Sequence, residues 1–314
     1  MPTFDTERDG RVLVVRFDNP PRNFMDGRMV DELTALVRSL RRDRGTGAVV
    51  LTGRPDDLFI THYDMAELLA SAEQSAFELT PGTARASYRA LTGVARLPGA
   101  RGAMRKSPAA GVLDLQATQD LFRALERLDK VAVAAINGQA ISIGCELALA
   151  CDVRYIADDG RAIGLPEVTI GVLPGAGGAQ RLARAVGRAR ALELLLEATL
   201  LTPHDALAAG LVHRVVPHDE LLGEAVETAH RLARRAPLSV AAAKRAVLDG
   251  ASRPLAEGLA LERSWFMAAL SRPVARRAMR RYVEDAARIG HAPWEDAAAR
   301  ADWQDGAVVD LVEE

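Results

Sequence analysis

The sequence predicts an α/β fold in which largely parallel strands are layered with helices. Two apolar runs, at 11–17 and 47–53, flank an amphipathic pattern at 26–42, and a further helix and strand follow within 115–136. After residue 178 the pattern is almost entirely helical. Repeated strand–helix–strand units followed by helices imply a layered α/β architecture with a helical C-terminal portion.

The first strand–helix–strand unit is read from residue spacing. The run at 11–17 is rich in β-branched residues and stops at Asn19-Pro20-Pro21, as a strand entering a turn does. The segment 26–42 shows the three-and-four spacing of a helix with one apolar face. Its apolar positions are Met29, Val30, Leu33, Leu36, Val37 and Leu40. The segment 47–53 is then predicted to be a second, buried strand.

The second half of the chain repeats the pattern once and then becomes helical. A helix is predicted over 115–128 and a strand over 131–136, with Asn137-Gly138 as the turn that follows. One short strand is predicted at 211–216. Helices are predicted at 179–186, 189–197, 203–209, 219–235, 239–248, 254–270 and 273–287.

The hydrophobic content is high enough for a large core, and the overall charge gives no reason to expect binding to a polyanion. The chain has 314 residues, of which 49% are hydrophobic, and 40 Lys and Arg stand against 42 Asp and Glu. With a net charge of −2, nothing global attracts nucleic acid or an anionic membrane. We therefore expect neither as a partner.

The N-terminus and the cysteines point to an unexported protein. The first ten residues are acidic and lack an apolar signal region, and no run reaches the ~18 apolar residues of a membrane span. Cys145 and Cys151 lie together in an apolar stretch, which is typical of small core residues rather than of a disulfide framework. We expect a soluble protein in a reducing cytoplasm.

Two glutamates suggest acid/base chemistry. Glu146 and Glu167 each lie beside glycine-bearing sequence, in segments 139–152 and 164–178. Two carboxyl groups in partly apolar surroundings can have different pKa values, so that one accepts a proton while the other donates one. The alternative is that both are helix-start acids on a solvated face.

The order of short motifs resembles the enoyl-CoA hydratase/isomerase, or crotonase, superfamily. The resemblance covers residues 4–68 and 118–283. Any one of the motifs alone would be a weak signal. The motifs are Phe59-x-x-x-x-Asp64, Asn137-Gly138, Gly144-Cys-Glu-Leu-Ala148, Cys151-Asp152, Pro166-Glu167, Ile170-Gly171, Pro174-Gly-Ala-Gly-Gly178 and Gln180-Arg-Leu182.

This resemblance implies a fold and an assembly. Members of the superfamily form a spiral of ββα units followed by a helical C-terminal trimerisation region. We expect such a core over 1–200, with an insertion at about 71–111, and a helical region with an extended tail over 201–314. A homotrimer or a dimer of trimers is implied.

The resemblance also implies a catalytic site for acyl-CoA chemistry. Two backbone N–H groups, of Tyr63 and Ile143, would form an oxyanion hole for the thioester carbonyl. Glu146 and Glu167 match the positions that hold and activate water and deliver a proton to the α-carbon in hydratases. Coenzyme A would enter as part of the substrate, and no metal or other cofactor is expected.

The implied reaction is addition of water to a 2-enoyl-CoA thioester. Both glutamates are present, which favours a hydratase over relatives that vary one of these positions. A double-bond isomerase or another enolate-forming lyase is the alternative within the family. A non-catalytic acyl-CoA-binding scaffold is the alternative from another class, because fold does not fix function.

Further positions are expected to contact the substrate, and some depart from the family pattern. Ser142 and Ile143 stand where the family usually has glycines, and Thr61-His62-Tyr63 stands where the family has a small-Gly-small run. A packing role is favoured for the Tyr63 side chain, whereas a role for His62 as acid or donor stays open. The expected substrate-binding residues are Asn23, Phe24, Met25, His62, Asp64, Gly144, Pro166 and Gly175.

The insertion at 71–111 is the largest departure. Its prolines, glycines and small residues predict a solvated, largely mobile loop. Two functional alternatives are a lid over the acyl group and a docking site for an acyl carrier protein.

Overall fold

The computed structural model describes residues 1–54, 58–74, 78–105, 107 and 109–312. The strands are β1 (Phe4–Asp9), β2 (Val12–Phe17), β3 (Ala48–Gly53), β4 (Leu58–Ile60), β5 (Val131–Ile136), β6 (Gln139–Ile141), β7 (Val153–Ala157), β8 (Ile163–Gly164), β9 (Leu200–Leu201) and β10 (Arg214–Val216).

The helices are α1 (Gly27–Leu40), α2 (Met65–Glu73), α3 (Pro81–Val94), α4 (Ala100–Met104), α5 (Ala110–Glu126), α6 (Ile143–Leu149), α7 (Gly178–Val186), α8 (Arg188–Leu196), α9 (Pro203–Ala208), α10 (Leu221–Ala233), α11 (Pro237–Arg245), α12 (Leu255–Leu270), α13 (Pro273–Ile289) and α14 (Ala297–Asp305). A 3₁₀ helix spans Glu167–Ile170 and a π-helical turn spans Ala246–Gly250. The helices predicted after residue 178 are confirmed, with shifts of a few residues at their ends.

Two sheets form the frame of the molecule. The larger has the order β1-β2-β3-β5-β7-β10, and only its β1–β2 pair is antiparallel. The smaller has the order β4-β6-β8-β9, and only its β8–β9 pair is antiparallel. The prediction of an α/β fold with largely parallel strands is confirmed.

The larger sheet is covered on both faces, which explains the continuous apolar runs of its strands. Alternate residues of β2 point to opposite faces. Leu13 and Val15 belong to a core shared with α1 and α5, whereas Val12 and Val14 belong to a core shared with α10. Because both faces of the strand are buried, its sequence lacks the alternation of a half-exposed strand.

Helix α1 shows how local sequence sets an element. The Asp26 side chain accepts a hydrogen bond from the Met29 N–H at 2.7 Å, so Asp26 is the N-cap of the predicted 26–42 helix. Burial of each large apolar side chain stabilises the fold by about 1.5–3 kcal/mol. The buried residues of this helix are Met29, Val30, Leu33, Val37 and Leu40.

The prediction of a loop over the insertion at 71–111 is wrong for the segments that form α3 and α4. Thr80 caps α3 through a reciprocal capping box with Thr83, and Pro81 occupies its first turn. A proline there lacks only an N–H that would have no intrahelical partner. The proline content of the insertion favours a loop, but Pro81 instead stands where a proline can begin a helix. Residues 75–77, 106 and 108 of the insertion lie outside the described residues.

Among the described residues, helices α12, α13 and α14 and the tail contribute no side chain to the two cores. Helix α12 has no buried residue in the single chain. The tail folds back on α13, where the rings of Tyr282, Trp294 and Trp303 lie 5.6–6.4 Å apart. None of the described helices combines the length and apolar composition that a bilayer span requires.

The cysteine prediction is confirmed. Cys145 and Cys151 are both buried and both free. Burial raises the pKa of the Cys145 and Cys151 thiols, so both behave as small core residues.

Candidate active site

A cavity of about 300 Å³ lies between α2, α5, the start of α6 and the segment 167–176. Its walls are mainly apolar, as expected for a small-molecule site. It brings together all four predicted catalytic residues and one predicted substrate-binding residue. These residues are Tyr63, Ile143, Glu146, Glu167 and Gly175.

The start of α6, with Ser142 and Ile143, forms part of the cavity wall. Ser142 precedes the helix with a positive φ of 56°, and its N–H donates to the Gly164 carbonyl at 2.8 Å. Ile143 is the first helical residue, where N–H groups have no intrahelical acceptor and the helix dipole favours negative charge. The next residue, Gly144, must lack a side chain, because a Cβ there would lie 1.9 Å from the Ile60 carbonyl oxygen.

The Tyr63 backbone is oriented by a short parallel bridge to Met25. The Met25 N–H donates to the His62 carbonyl at 3.0 Å, and the Asp64 N–H donates to the Met25 carbonyl at 2.8 Å. In an extended chain, successive N–H groups point to opposite sides. The Tyr63 N–H therefore faces away from Met25, toward the edge on which β6 pairs with β4.

Glu146 is held in the cavity wall by a backbone donor. Its side chain is 2% exposed, and its Oε1 accepts a hydrogen bond from the Gly178 N–H at 2.6 Å. Burial raises the pKa of Glu146 to about 7, and the charge of Glu167 acts in the same direction. The N–H groups of Gly178 and Ala176 and the charge of Arg181 oppose this shift.

Glu167 enters the cavity from the 3₁₀ helix, which ends at Gly171 with a φ of 79°. The residue is 8% exposed, and neither carboxyl oxygen has a hydrogen-bond partner among the described residues. Burial raises the pKa of Glu167, and its own N–H and the Ser142 hydroxyl, which lie nearby without making a hydrogen bond of ordinary geometry, oppose this shift. The two buried carboxyl groups therefore differ: one is fixed by a donor and the other is unpartnered. The alternative of a solvated face is wrong for both glutamates.

Comparison with known proteins agrees with this geometry. The sequence profile of the enoyl-CoA hydratase/isomerase family matches residues 7–94 and 102–296. The chain belongs to this family. The predicted membership of the crotonase superfamily and the predicted enzyme class are thereby confirmed.

Relatives of this crotonase-family chain are named as hydratases. A probable mitochondrial enoyl-CoA hydratase of Dictyostelium discoideum is 32% identical over 90% of this chain and 88% of that protein. A 2,3-dehydroadipyl-CoA hydratase of Escherichia coli is 44% identical over 46% of this chain and 57% of that protein. A solved enoyl-CoA hydratase of Bacillus anthracis superposes with a TM-score of 0.73 at 24% identity, covering 90% of this chain and 96% of that chain. At that identity the last likeness shows the fold alone.

Some residues predicted to bind substrate support the backbone of the crotonase-family site. The Asn23 side chain donates to the Phe59 carbonyl at 2.6 Å, and Met25 is fully buried. Asp64 caps α2 by accepting from the Ala66 N–H at 2.9 Å. Of these three residues and Gly144, none lines the cavity. Their contact with substrate stays a prediction.

His62, Phe24 and Pro166 also lie outside the cavity lining. The His62 ring stacks on the Phe24 ring with centroids 4.2 Å apart, and its Nδ1 lies 2.6 Å from the Tyr63 carbonyl oxygen. Pro166 directly precedes the helix that carries Glu167. The structure thus gives His62 a stacking partner next to Tyr63, and its role toward substrate stays a prediction.

The sequence reading missed three groups at the site. Gly178 supplies the N–H that holds Glu146, and the glycine-rich motif in which it lies does not by itself indicate this contact. Glu67 on α2 and Asp114 on α5 add carboxyl groups to the cavity wall. Neither belongs to a recognisable motif, so spacing alone gave no signal for them.

Proposed function

We propose that the protein is an enoyl-CoA hydratase that adds water across the double bond of a 2-enoyl-CoA thioester. The observation that carries this proposal is the pair of buried glutamates, differently hydrogen-bonded, in one apolar cavity beside two backbone N–H groups. The hydratase names of relatives that share most of the chain support the same activity.

The backbone groups would polarise the substrate. The N–H groups of Tyr63 and Ile143 donate hydrogen bonds to the thioester carbonyl oxygen. As water adds at C3, the electron pair of the C2–C3 double bond moves toward this oxygen and forms an enolate. Donors that are fixed in place before the reaction stabilise such a charge without reorganisation.

The environments of the two glutamates suggest their roles. Hydrogen bonding from Gly178 favours the ionised form of Glu146, so Glu146 takes the proton of the attacking water as the new C3–O bond forms. Burial favours the protonated form of Glu167, which lacks a close donor like the one that holds Glu146, so Glu167 delivers its proton to C2 as the carbonyl re-forms. Proton exchange with solvent then restores both groups, and dehydration uses the same atoms in reverse.

The test compares wild type with Glu146→Gln and Glu167→Gln by the loss of enone-thioester absorbance on several 2-enoyl-CoA chains. We expect each substitution to lower kcat by about 10²–10⁴-fold, the usual contribution of general acid–base catalysis. Binding of a saturated acyl-CoA, measured by calorimetry, should be retained. Glu227→Gln, an exposed position on α10, is the matched control.

Two results would contradict the hydratase. Wild type that binds acyl-CoA but hydrates no chain would indicate another enolate reaction or a binding role. A double-bond isomerase needs only one of the carboxyl groups, so migration of the double bond that survives one of the two substitutions would indicate the isomerase.

The C-terminal helices suggest the predicted assembly. Helix α12 carries exposed apolar residues at 255, 259, 266 and 270, which fall on one face of a helix, and Leu255 and Phe266 are 77% and 63% exposed. Exposed apolar stripes of this kind are typical of interfaces. We propose that this face is buried between subunits of the trimer that the family resemblance implies.

A further inference from the structure

One wall of the cavity carries polar groups that the hydration chemistry does not use. The Tyr63 Oη donates a hydrogen bond to Glu67 Oε1 at 3.2 Å, and Glu67 Oε2 accepts from the Gly27 N–H at 3.1 Å. Tyr63, Glu67 and Asp114 all line the cavity. Burial, followed by the charges of Glu67 and Asp114, raises the pKa of the Tyr63 hydroxyl, so it stays protonated.

Among the residues that the structure describes, several acidic side chains line the cavity. Its described lining holds four carboxyl groups, from Glu67, Asp114, Glu146 and Glu167, and among these described residues there is no Lys, Arg or His. Arg105 is influenced by Asp114, but it is paired with Asp31 at 2.8 Å and does not line the cavity. The rest of the wall is largely apolar, with Leu68, Leu115, Ile170, Val172 and Leu173 among its members.

The polar groups of this wall offer hydrogen-bond acceptors to a ligand. The Tyr63 hydroxyl donates its hydrogen bond to Glu67, so the pair offers a ligand the lone pairs on Tyr63 Oη and on the carboxylate. A ligand group that donates a hydrogen bond satisfies these acceptors. A carboxylate on the ligand would meet like charge in a partly desolvated space, which disfavours its binding.

We infer that Tyr63, Glu67 and Asp114 select a 2-enoyl chain that carries a neutral hydrogen-bond donor, such as a hydroxyl or carboxamide, and reject a chain that ends in a carboxylate. This inference rests on the proposed hydratase function and names the substrate class of the same cavity. It separates this protein from its relative that is named a 2,3-dehydroadipyl-CoA hydratase, because a 2,3-dehydroadipyl chain ends in a carboxylate.

The test uses four six-carbon 2-enoyl-CoA thioesters that differ only at the far end. They are hexenoyl-CoA, 6-hydroxyhexenoyl-CoA, 2,3-dehydroadipyl-CoA and the carboxamide of the last. The carboxylate and carboxamide substrates have nearly the same shape, so their ratio of kcat/KM isolates charge and hydrogen-bond donation. We expect wild type to favour the carboxamide over the carboxylate by about tenfold or more, as like-charge contact requires.

Substitutions assign the effect to the wall. Glu67→Gln retains an acceptor for the Gly27 N–H and a partner for the Tyr63 hydroxyl while removing the charge. Asp114→Asn removes the second charge without touching that hydrogen-bond pair. Each should reduce the carboxamide-to-carboxylate preference severalfold. Glu73→Gln, an exposed glutamate at the end of the same helix α2, should leave the ratio at the wild-type value.

Equal or better hydration of the carboxylate by wild type would overturn the inference while leaving the hydratase intact. A preference that neither Glu67→Gln nor Asp114→Asn changes, or that Glu73→Gln changes equally, would overturn the assignment to these residues. If no chain is hydrated, the proposed function fails, and the dissociation constants of the four corresponding saturated thioesters decide the inference. Tighter binding of the carboxamide than of the carboxylate then supports it, and the reverse order overturns it.

Discussion

Glu146 couples the stability of the fold to pH. Burial raises its pKa from 4.5 to about 7 in the folded protein, so the folded state holds a proton that the unfolded state has released between these values. This contribution to the free energy of unfolding is complete below pH 4.5 and is lost as the pH rises toward 7. At about 1.4 kcal/mol per pKa unit, the loss amounts to about 3 kcal/mol.

Glu146→Gln should therefore be more stable than wild type at pH 8, by up to about 3 kcal/mol, and nearly equal to it at pH 4. The glutamine oxygen can still accept from the Gly178 N–H, so the comparison isolates the charge. Urea unfolding at a series of pH values measures the difference, with Glu227→Gln as the exposed control. Parallel stability–pH curves for wild type and Glu146→Gln would show that the burial of this carboxyl does not govern the dependence.

At the scale of single residues, the sequence predicts the site residues that belong to a recognisable motif and does not predict those outside one. Glu146 and Glu167 were found because glycine-rich segments mark close approach of backbone, and both do line one cavity. Glu67 and Asp114 come from two helices with no shared pattern, and only packing of α2 against α5 places them together. Side chains that meet through tertiary packing leave no local signal.

At the scale of elements, a buried ion pair attaches α11 to the larger sheet. Lys244 Nζ lies 2.7 Å from Asp152 Oδ2 and donates to the Lys130 carbonyl at 3.0 Å. Asp152 Oδ2 also accepts from the Ala132 N–H at 2.8 Å, at the start of β5. Removing one member of such a pair leaves the other charge without its partner in a poorly solvated place.

Lys244→Met should lower the free energy of unfolding by about 2 kcal/mol, less than for a fully buried pair, because the Asp152 side chain is 23% exposed. Adding Asp152→Asn should cost less than it does in wild type, since the ion pair is already absent. Urea unfolding of the two single variants and the double variant forms the cycle that measures this coupling. Strict additivity would mean that the pair contributes no interaction energy.

The sequence predicts the helices and strands that have a clear apolar pattern, whereas it does not predict β1, β4 and β6. The helix at 26–42 and the strands at 47–53 and 131–136 are long, with an unbroken apolar pattern. Strand β1 is charged and mostly exposed, because it lies at the edge of the sheet beside β2. The three-residue strands β4 and β6 are too short for any periodicity, yet they position Tyr63 and the start of α6.

For the whole molecule, the fold was predictable because one order of motifs runs through most of the chain, and the match to residues 7–94 and 102–296 agrees with it. Assembly is a different problem, since the proposed subunit interface is inferred from exposed apolar side chains rather than from the order of motifs. The apolar residues of α12 contribute nothing to the cores of the single chain. Their burial requires another molecule, which the fold of one chain leaves unspecified.

Introducing charge into this face should separate the subunits. Leu259→Glu combined with Phe266→Glu places two carboxylates on the apolar face of α12, where exposed large side chains now lie. Light scattering coupled to size exclusion should show a trimer, or a multiple of it, for wild type and a smaller species for the double variant. Ser264→Glu, on the opposite side of the same helix, should keep the wild-type mass, because it adds a charge outside the apolar stripe.

An unchanged mass for the double variant, with helical content retained, would exclude this face as the interface. Equal dissociation by Ser264→Glu would show that charge anywhere on α12, rather than loss of the apolar contact, disrupts the assembly.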